Sequence, residues 1–446
     1  MRGMSQFAVI KSKMQGVGLS CAAIDAFRHC VQVLESRQSM LIPEADIVPA
    51  EGVAEWESLV EATPAADAEL LSQSVLIKLN GGLGTSMGLQ KAKSLLEIKP
   101  GVTFLDLIVR QVQSLRAAAG CPVNLLLMNS FSTSADTMAY LSRYAEAGFA
   151  DPQQVEMLQN RVPKLLATTL EPASFPENPD LEWCPPGHGD IYPALVGSGW
   201  LDKLLDDGVK YAFVSNSDNL GAQMDTRFLR WFAQSGSPFV MEVTRRTEAD
   251  KKGGHLATRA ADGQPLLREV AQCPEEDVPA FQDIEKHRYF NTNNLWIRLD
   301  ALRDYLETNS GVLPLPVICN RKTLDPRNAA TPEVFQLETA MGAAIQCFPG
   351  ARAVCVPRSR FFPVKTCSDL LLLRSDAVEI NEAGLMSLAP ECGGRAPIVQ
   401  LDSKLYKLVD SLEELGVPSL KNVSRLVVSG AHRFAPGEPL SGEVFV

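Results

Sequence analysis

Two lysines, one aspartate and a glycine-rich loop are the residues of this chain whose types and spacing suit chemistry on phosphates. Val75-Leu76-Ile77-Lys78-Leu79 is a short apolar run, and Asn80-Gly81-Gly82-Leu83-Gly84-Thr85-Ser86-Met87-Gly88 follows it directly. Such a run predicts a buried strand and the glycines a loop. Without Cβ atoms in the way, its backbone N–H groups can approach a polyphosphate and a base can lie against bare backbone. Lys91 and Lys93 come next and can meet negative charge. The last glycine of Gly82-Leu83-Gly84-Thr85-Ser86-Met87-Gly88 falls one residue too far for the dinucleotide fingerprint, and Ala92 stands where a Walker A loop needs glycine.

Asp218 closes the run Tyr211-Ala212-Phe213-Val214-Ser215-Asn216-Ser217 and is followed by Asn219, Leu220 and Gly221. A carboxylate at the end of a buried strand can hold Mg²⁺ against phosphates, because Mg²⁺ keeps several waters and needs few protein ligands. The alternative is an Asx-turn that ends the strand. His188 lies between Gly187 and Gly189 ahead of an expected helix, where hydrogen bonding to a ligand is its expected role. Asn291 and Asn293, in a polar cluster read as leading into a strand, carry carboxamides that both donate and accept and so suit sugar hydroxyls. Glu269 and Glu338 are further candidates, read as helical glutamates. Arg358, Arg360 and Lys365 crowd a proline-flanked loop in which Lys365 can neutralise a phosphate.

These groups need elements that bring them together. Strands are predicted at 75–79, 123–128, 164–168, 211–215, 238–244, 292–299 and 353–356, with an amphipathic helix over Phe104–Ala119. The alternation predicts an α/β fold with a mostly parallel, doubly wound sheet, whose ligands lie beyond the carboxyl ends of the strands. Residues 1–20 read as disordered or loosely attached. Cys21–Arg37 reads as a helix, with a second near Asp67–Leu71, and 44–64 as a connecting segment. Leu401–Leu415 reads as helical, and a small β-rich tail follows. The division expected is a helical and linker region at 1–70, a catalytic domain at 71–385 and a small region at 386–446.

A length of 446 residues predicts more than one domain. A net charge of −11 argues against a nucleic-acid partner. No signal-peptide h-region or membrane-length apolar run stands out, so a membrane partner is not expected. Ten cysteines occur without a C-x-x-C pair or zinc-ligand spacing, which predicts reduced core thiols and a cytoplasmic location.

Taken together, the segments resemble the eukaryotic-type UTP–glucose-1-phosphate uridylyltransferases, or UDP-glucose pyrophosphorylases. The likeness spans about residues 70–375 and rests on LNGGLGTSMG at 79–88, LLMNSFST at 126–133, PPGHGD at 185–190 and SNSDNLGA at 215–222. It continues through MEVTRRTEADKKGG at 241–254, NTNNLW at 291–296, LETAMGAAI at 337–345 and PRSRFFPVKTCSDLL at 357–371. The resemblance implies a GT-A-like, Rossmann-type core that joins UTP and glucose 1-phosphate into UDP-glucose and pyrophosphate with Mg²⁺. It implies that Leu79, Asn80, Gly81, Gly82, Met128, Gln159 and Gly187 surround uracil and ribose. His188, Asn216, Gly254, Glu269, Asn291, Asn293 and Glu338 would face the sugar phosphate. Asp218 would hold the metal, and Lys93 and Lys365 would grip phosphates as the catalytic cations.

Three departures stand out. Lys91-Ala92 replaces the family's usual Gly-Pro ahead of Lys93-Ser94, leaving open which lysine reaches the phosphates, though register favours Lys93. The family's C-terminal left-handed β-helix is abbreviated here, which leaves the oligomeric state open. The first 60 residues carry no matching motif. A UDP-N-acetylhexosamine or broad UDP-sugar pyrophosphorylase is the nearest alternative, and a non-catalytic UDP-sugar-binding regulatory protein is the alternative from another class.

Overall fold

The strand Ser74–Asn80 lies inside an eleven-stranded sheet and is buried along nearly its whole length. Its side chains alternate between two apolar layers: Leu76 enters one, Val75 and Ile77 the other. Leu125 and Leu127 oppose Leu126 and Met128 in the same way, as Phe213 opposes Ala212 and Val214. A strand covered on both faces shows no alternation of polarity, which is why these strands are continuous apolar runs. The structure, a computed structural model, describes residues 2–36, 39–59 and 68–446.

Across the sheet the order is Ala54–Glu55, Arg352–Cys355, Phe239–Arg245, Tyr289–Arg298, Tyr211–Asn216, Ser74–Asn80, Asn124–Asn129, Glu156–Leu158. Every neighbouring pair in that order is parallel except the two made by Tyr289–Arg298, which runs against both of its neighbours. Ile47–Pro49, His255–Arg259 and Pro265–Arg268 branch from the sheet as antiparallel pairs. The expected mostly parallel sheet with helices is therefore present. The helix Phe104–Ala119 carries a capping box between Thr103 and Asp106 and ends on Gly120 at φ 64°. Replacing such a cap by alanine costs about 1 kcal/mol.

Several local expectations are corrected. The described part of the first 20 residues, from residue 2, is not loose. Arg2–Gly16 is a helix whose Ile10 and Met14 are buried, and Lys13 donates to the Ala173 carbonyl and pairs with Glu182. Ser20 caps the next helix, Cys21–Glu35. The helix near Asp67–Leu71 is observed as Ala68–Ser72, and Asp67 itself lies outside the described residues. The connecting segment holds the strands Ile47–Pro49 and Ala54–Glu55, and Trp56 stacks on Phe228 with centroids 4.4 Å apart. The strand expected at 164–168 shrinks to Leu165–Leu166 and joins a separate sheet with Val317–Thr323 and Glu333–Thr339. Leu170 at φ 60° turns the chain there.

Leu401–Leu415 is helical only from Val409. Before it, Ile398–Leu401 is a strand, and Asp402 starts a turn by accepting from the Lys404 amide at 2.9 Å. Ile398–Leu401, Val423–Val428 and Gly442–Phe445 form a small parallel sheet in chain order. Leu412, Leu415, Leu420, Leu426 and Phe434 extend one apolar layer of the main sheet into this region. Among the described residues, no helix is long and apolar enough to cross a membrane.

Candidate active site

The nucleotide side is built from consecutive parallel strands. Leu79 pairs in register with Met128 on one side and Asn216 on the other, so their loops leave the sheet together. The glycine loop folds back until the Lys93 amide donates to the Gly82 carbonyl at 3.0 Å. Ser130 Oγ donates to the Gly81 carbonyl at 2.9 Å. Gln159 is tethered by its amide to the Asn129 carbonyl at 2.7 Å, and its Nε2 donates to the Gly187 carbonyl at 3.0 Å. A Cβ on Gly81 would stand 2.7 Å from Gln159 Oε1, so a larger residue there would push the Gln159 carboxamide aside. The Asn80 carboxamide turns away from this loop and donates to Asn129 Oδ1 and Thr137 Oγ1 inside the fold. Asn80 therefore offers the loop its backbone.

One of the candidate cations meets the carboxylate. Lys93 Nζ lies 2.6 Å from Asp218 Oδ2 and also donates to the Val364 carbonyl. Lys91, the alternative lysine, is exposed, and Ala92 beside it is buried in the fold. The Val364 amide donates back to the Asp218 carbonyl at 3.2 Å, and Asn219 bridges to Pro363. Lys365 thus follows immediately on the segment that closes over Asp218, with its own ammonium exposed. That ammonium opposes the effect of burial on Glu269, whose carboxyl is pushed up by desolvation.

The sugar side comes from other elements. Opposite Glu242 and Val243 the long strand Tyr289–Arg298 slips in register, leaving Thr292 and Asn293 unpaired as a bulge. The polar cluster at 291–294 is thus part of the strand, not a turn before it. Asn293 sits at φ 59°, a conformation uncommon outside glycine, and bulges of this kind re-aim side chains. Asn291 Nδ2 donates to Asn293 Oδ1 at 2.9 Å, and the Asn291 amide donates to the Gly254 carbonyl at 3.1 Å. Glu269 precedes a single 3₁₀ turn and packs against Gly254, while Glu338 lies in the strand Glu333–Thr339; neither is on an α-helix. Glu338 accepts from Asn320 Nδ2 at 3.0 Å. Gly187, at φ 80°, has no room for a Cβ, which would stand 2.4 Å from the Thr339 carbonyl. Next to it, His188 Nδ1 accepts from the Met341 amide at 2.9 Å, so the ring proton belongs on Nε2, and burial pushes its pKa down to about 4. Asp190, with its carboxyl pushed up to about 7 by burial, accepts from the Asn160 amide and ties this turn to Gln159.

The donor set decides what metal can sit here. No group of three His, Cys, Asp or Glu side chains able to hold a metal occurs among the described residues. Asp218 supplies one carboxylate, whose Oδ2 already faces Lys93. That set fits a hard cation completed by water and phosphate oxygens, and it does not fit a closed protein cage.

Residues missed in the sequence lie beneath the site. Glu242, fully buried, accepts two bonds from Arg360 and one each from Asn294 and Trp296. Removing Glu242 alone strands a buried guanidinium, at a cost of about 3–5 kcal/mol. Lys78, with its ammonium pushed down to about 7 by burial, donates to Ser215 Oγ and to the Ala222 carbonyl, both at 2.8 Å. Charged residues inside otherwise apolar strands were the available signal for both.

A glycine loop and a carboxylate turn on adjacent parallel strands, a lysine paired with that carboxylate, a second on the segment over it and a bank of carboxamides and carboxylates beyond them make an arrangement suited to nucleotidyl transfer. The profile of the UTP–glucose-1-phosphate uridylyltransferase family matches residues 24–440. The chain belongs to that family. It is 42% identical over 386 residues to the UTP–glucose-1-phosphate uridylyltransferase of Solanum tuberosum, covering 86% of this chain and 78% of the relative. The Saccharomyces cerevisiae enzyme of the same name is 42% identical over 379 residues, covering 84% and 74%. A point mutant of the UDP-glucose pyrophosphorylase from Leishmania major, solved with UDP-glucose, superposes at TM-score 0.94 with 47% identity, over 99% of this chain and 94% of that one.

Proposed function

We propose that this chain performs the reaction its family is named for, making UDP-glucose and pyrophosphate from UTP and glucose 1-phosphate. The observation that carries the reading is the meeting of Lys93, Asp218 and the Val364–Lys365 segment at the carboxyl ends of the parallel strands. Uracil and ribose lie along Leu79–Gly82, Met128, Gln159 and Gly187. The hexose phosphate lies against His188, Asn216, Gly254, Glu269, Asn291, Asn293 and Glu338. A phosphate oxygen of glucose 1-phosphate attacks the α-phosphorus of UTP in line, and the bond to the β-phosphate breaks as pyrophosphate leaves. The attacking phosphate is already an anion, so alignment and charge neutralisation supply the catalysis. Lys93 has three N–H donors, of which Asp218 and Val364 take two, so the third is free for a phosphate oxygen. Lys365 offsets charge from the other side of the same turn. Mg²⁺ held by Asp218 supplies Lewis-acid polarisation of the phosphates when bound. His188, neutral with Nε2–H, donates a hydrogen bond and moves no proton.

We read the chain as an N-terminal helical and linker region to about residue 70, a catalytic domain to about 385, and a C-terminal region whose three parallel strands are an abbreviated β-helix. Ten free cysteines, none in a disulfide, favour a reducing cytoplasmic compartment. Pyrophosphate release from UTP and Mg²⁺ with glucose 1-phosphate, galactose 1-phosphate and N-acetylglucosamine 1-phosphate tests the reading. The glucose ester is expected to be the best substrate. Release with N-acetylglucosamine 1-phosphate alone, or with none of the three, overturns it.

A further inference from the structure

Asp218 and Lys365 belong to loops 147 residues apart in sequence, and something must hold those loops together while phosphates move between them. The residue after Asp218 does so. Asn219 is 1% exposed, and its carboxamide bonds to the other loop and to what supports it. Its Oδ1 accepts from the Phe362 amide at 2.8 Å. Its Nδ2 donates to the Arg360 carbonyl at 3.2 Å and to Asn294 Oδ1 at 3.3 Å. Its backbone bridges to Pro363. Two further links run in parallel: Arg360 Nη2 donates to the Gln223 carbonyl at 2.9 Å, and a Cβ on Gly221 would stand 2.3 Å from the Ser359 carbonyl. Arg360 is itself fixed by Glu242. The loop carrying Lys365 is therefore clamped at its middle, and the Asn219 carboxamide makes two of the clamp's bonds to that loop.

We propose that Asn219 is a positioning residue for phosphoryl transfer, acting through Lys365: its side chain fixes the 360–365 segment over the Asp218 turn so that cation and carboxylate face one triphosphate. The proposal rests on the uridylyl-transfer reading above. Uracil, ribose and hexose contacts are made elsewhere, so losing the clamp misplaces a charge without removing a binding contact. A misplacement of about 1 Å costs on the order of 10²-fold in rate.

The test compares Asn219→Ala with Ser237→Ala. Ser237 is a buried hydroxyl at the far end of the Phe239–Arg245 strand, bonded to the Phe239 and Gly350 carbonyls, and serves as a control for simple destabilisation. Asn219→Ala is expected to lower kcat about 10–100-fold with KM for UTP and glucose 1-phosphate within about twofold of wild type. Ser237→Ala keeps wild-type kcat. Introducing Asn219→Ala into Lys365→Ala is expected to change kcat by less than about twofold, because effects of residues acting as a unit do not add. Unchanged kcat in Asn219→Ala, or a full additional loss in the Lys365→Ala background, overturns the proposal. Should Asn219→Ala fail to fold, Asn219→Asp, which keeps the Phe362 bond and loses the Arg360 bond, is judged by the same two criteria. Hydrogen exchange separates this proposal from the reading beneath it. Faster exchange confined to the 358–366 peptide of Asn219→Ala, in a wild type that releases no pyrophosphate, retains the clamp and discards the uridylyl-transfer assignment. Unchanged exchange there discards the clamp.

Discussion

The two halves of the site are built by different means. On the proposed nucleotide half, three parallel neighbours, Ser74–Asn80, Asn124–Asn129 and Tyr211–Asn216, release their loops at one edge, with the backbone of Leu79–Gly82 among them. On the proposed sugar half, the candidates are side chains: a bulge in the antiparallel strand Tyr289–Arg298 throws out Asn293, and Glu269, Glu338 and His188 arrive from separate elements. The first half comes from the ends of neighbouring parallel strands and needs shape. The second is assembled from afar and needs geometry. Substitutions are thus expected to separate cleanly into those that change nucleotide use, those that change sugar use, and those at the junction that stop turnover.

The junction carries the largest effects. Asp218→Ala removes the carboxylate proposed to hold the metal and takes away the Lys93 ion pair, so steady-state assays are expected to show activity lowered by more than about 10³-fold and no longer dependent on Mg²⁺. Retained, Mg²⁺-dependent activity would move the metal elsewhere. Lys365→Ala should cut kcat by about 10²–10³-fold, the scale of one lost oxyanion donor, with KM for UTP little changed. Wild-type turnover in that variant contradicts the assigned role.

Two smaller changes test whether the halves are independent. Asn293→Gly relieves a left-handed residue but loses a hydrogen bond, so stability in denaturant melts is expected to stay within about 1 kcal/mol of wild type. It also removes the acceptor of the Asn291 carboxamide, so KM for glucose 1-phosphate should rise roughly tenfold while KM for UTP stays put. A matching rise for UTP would deny the division. Gln159→Ala should do the reverse, relaxing discrimination between UTP and CTP about fivefold without touching sugar choice. Unchanged nucleotide selectivity would remove Gln159 from the base site.

The smallest effect is a titration. The His188 ring is expected to protonate near pH 4, measured by NMR with His188→Gln for assignment, rather than near 6.5. Between those values the unfolded chain binds the extra proton, so this group's contribution to stability is complete above about pH 6.5 and is lost as pH falls toward 4. A midpoint near 6.5 would mean that the ring is not desolvated where Met341 holds it.

The contrast between the halves also explains what was legible in the sequence. The strand before the glycine loop and the helix Phe104–Ala119 could be read because a single segment supplies the whole element. The two-faced burial of the central strands was visible as unbroken apolar runs. The clamp was not legible: Asn219 meets Asn294 75 residues away, and Glu242 meets Arg360 118 residues away, so no local spacing marks either pair. The bulge at Asn293 was hidden for the same reason, since it depends on the register of Phe239–Arg245 beside it. The helix Arg2–Gly16 was missed because its buried face is narrow and its anchors, Ala173 and Glu182, lie far along the chain.

The central claim is that Lys93, Lys365 and Asp218 close on one triphosphate at the seam between the halves. A crystal structure with Mg²⁺, glucose 1-phosphate and a UTP analogue that cannot be cleaved between the α- and β-phosphorus tests it most directly. The expected result is an α-phosphate within hydrogen-bond reach of both lysines, with the metal on Asp218 and the sugar phosphate poised on the far side of the phosphorus. A triphosphate bound out of reach of either lysine, or a metal held away from Asp218, would contradict the account.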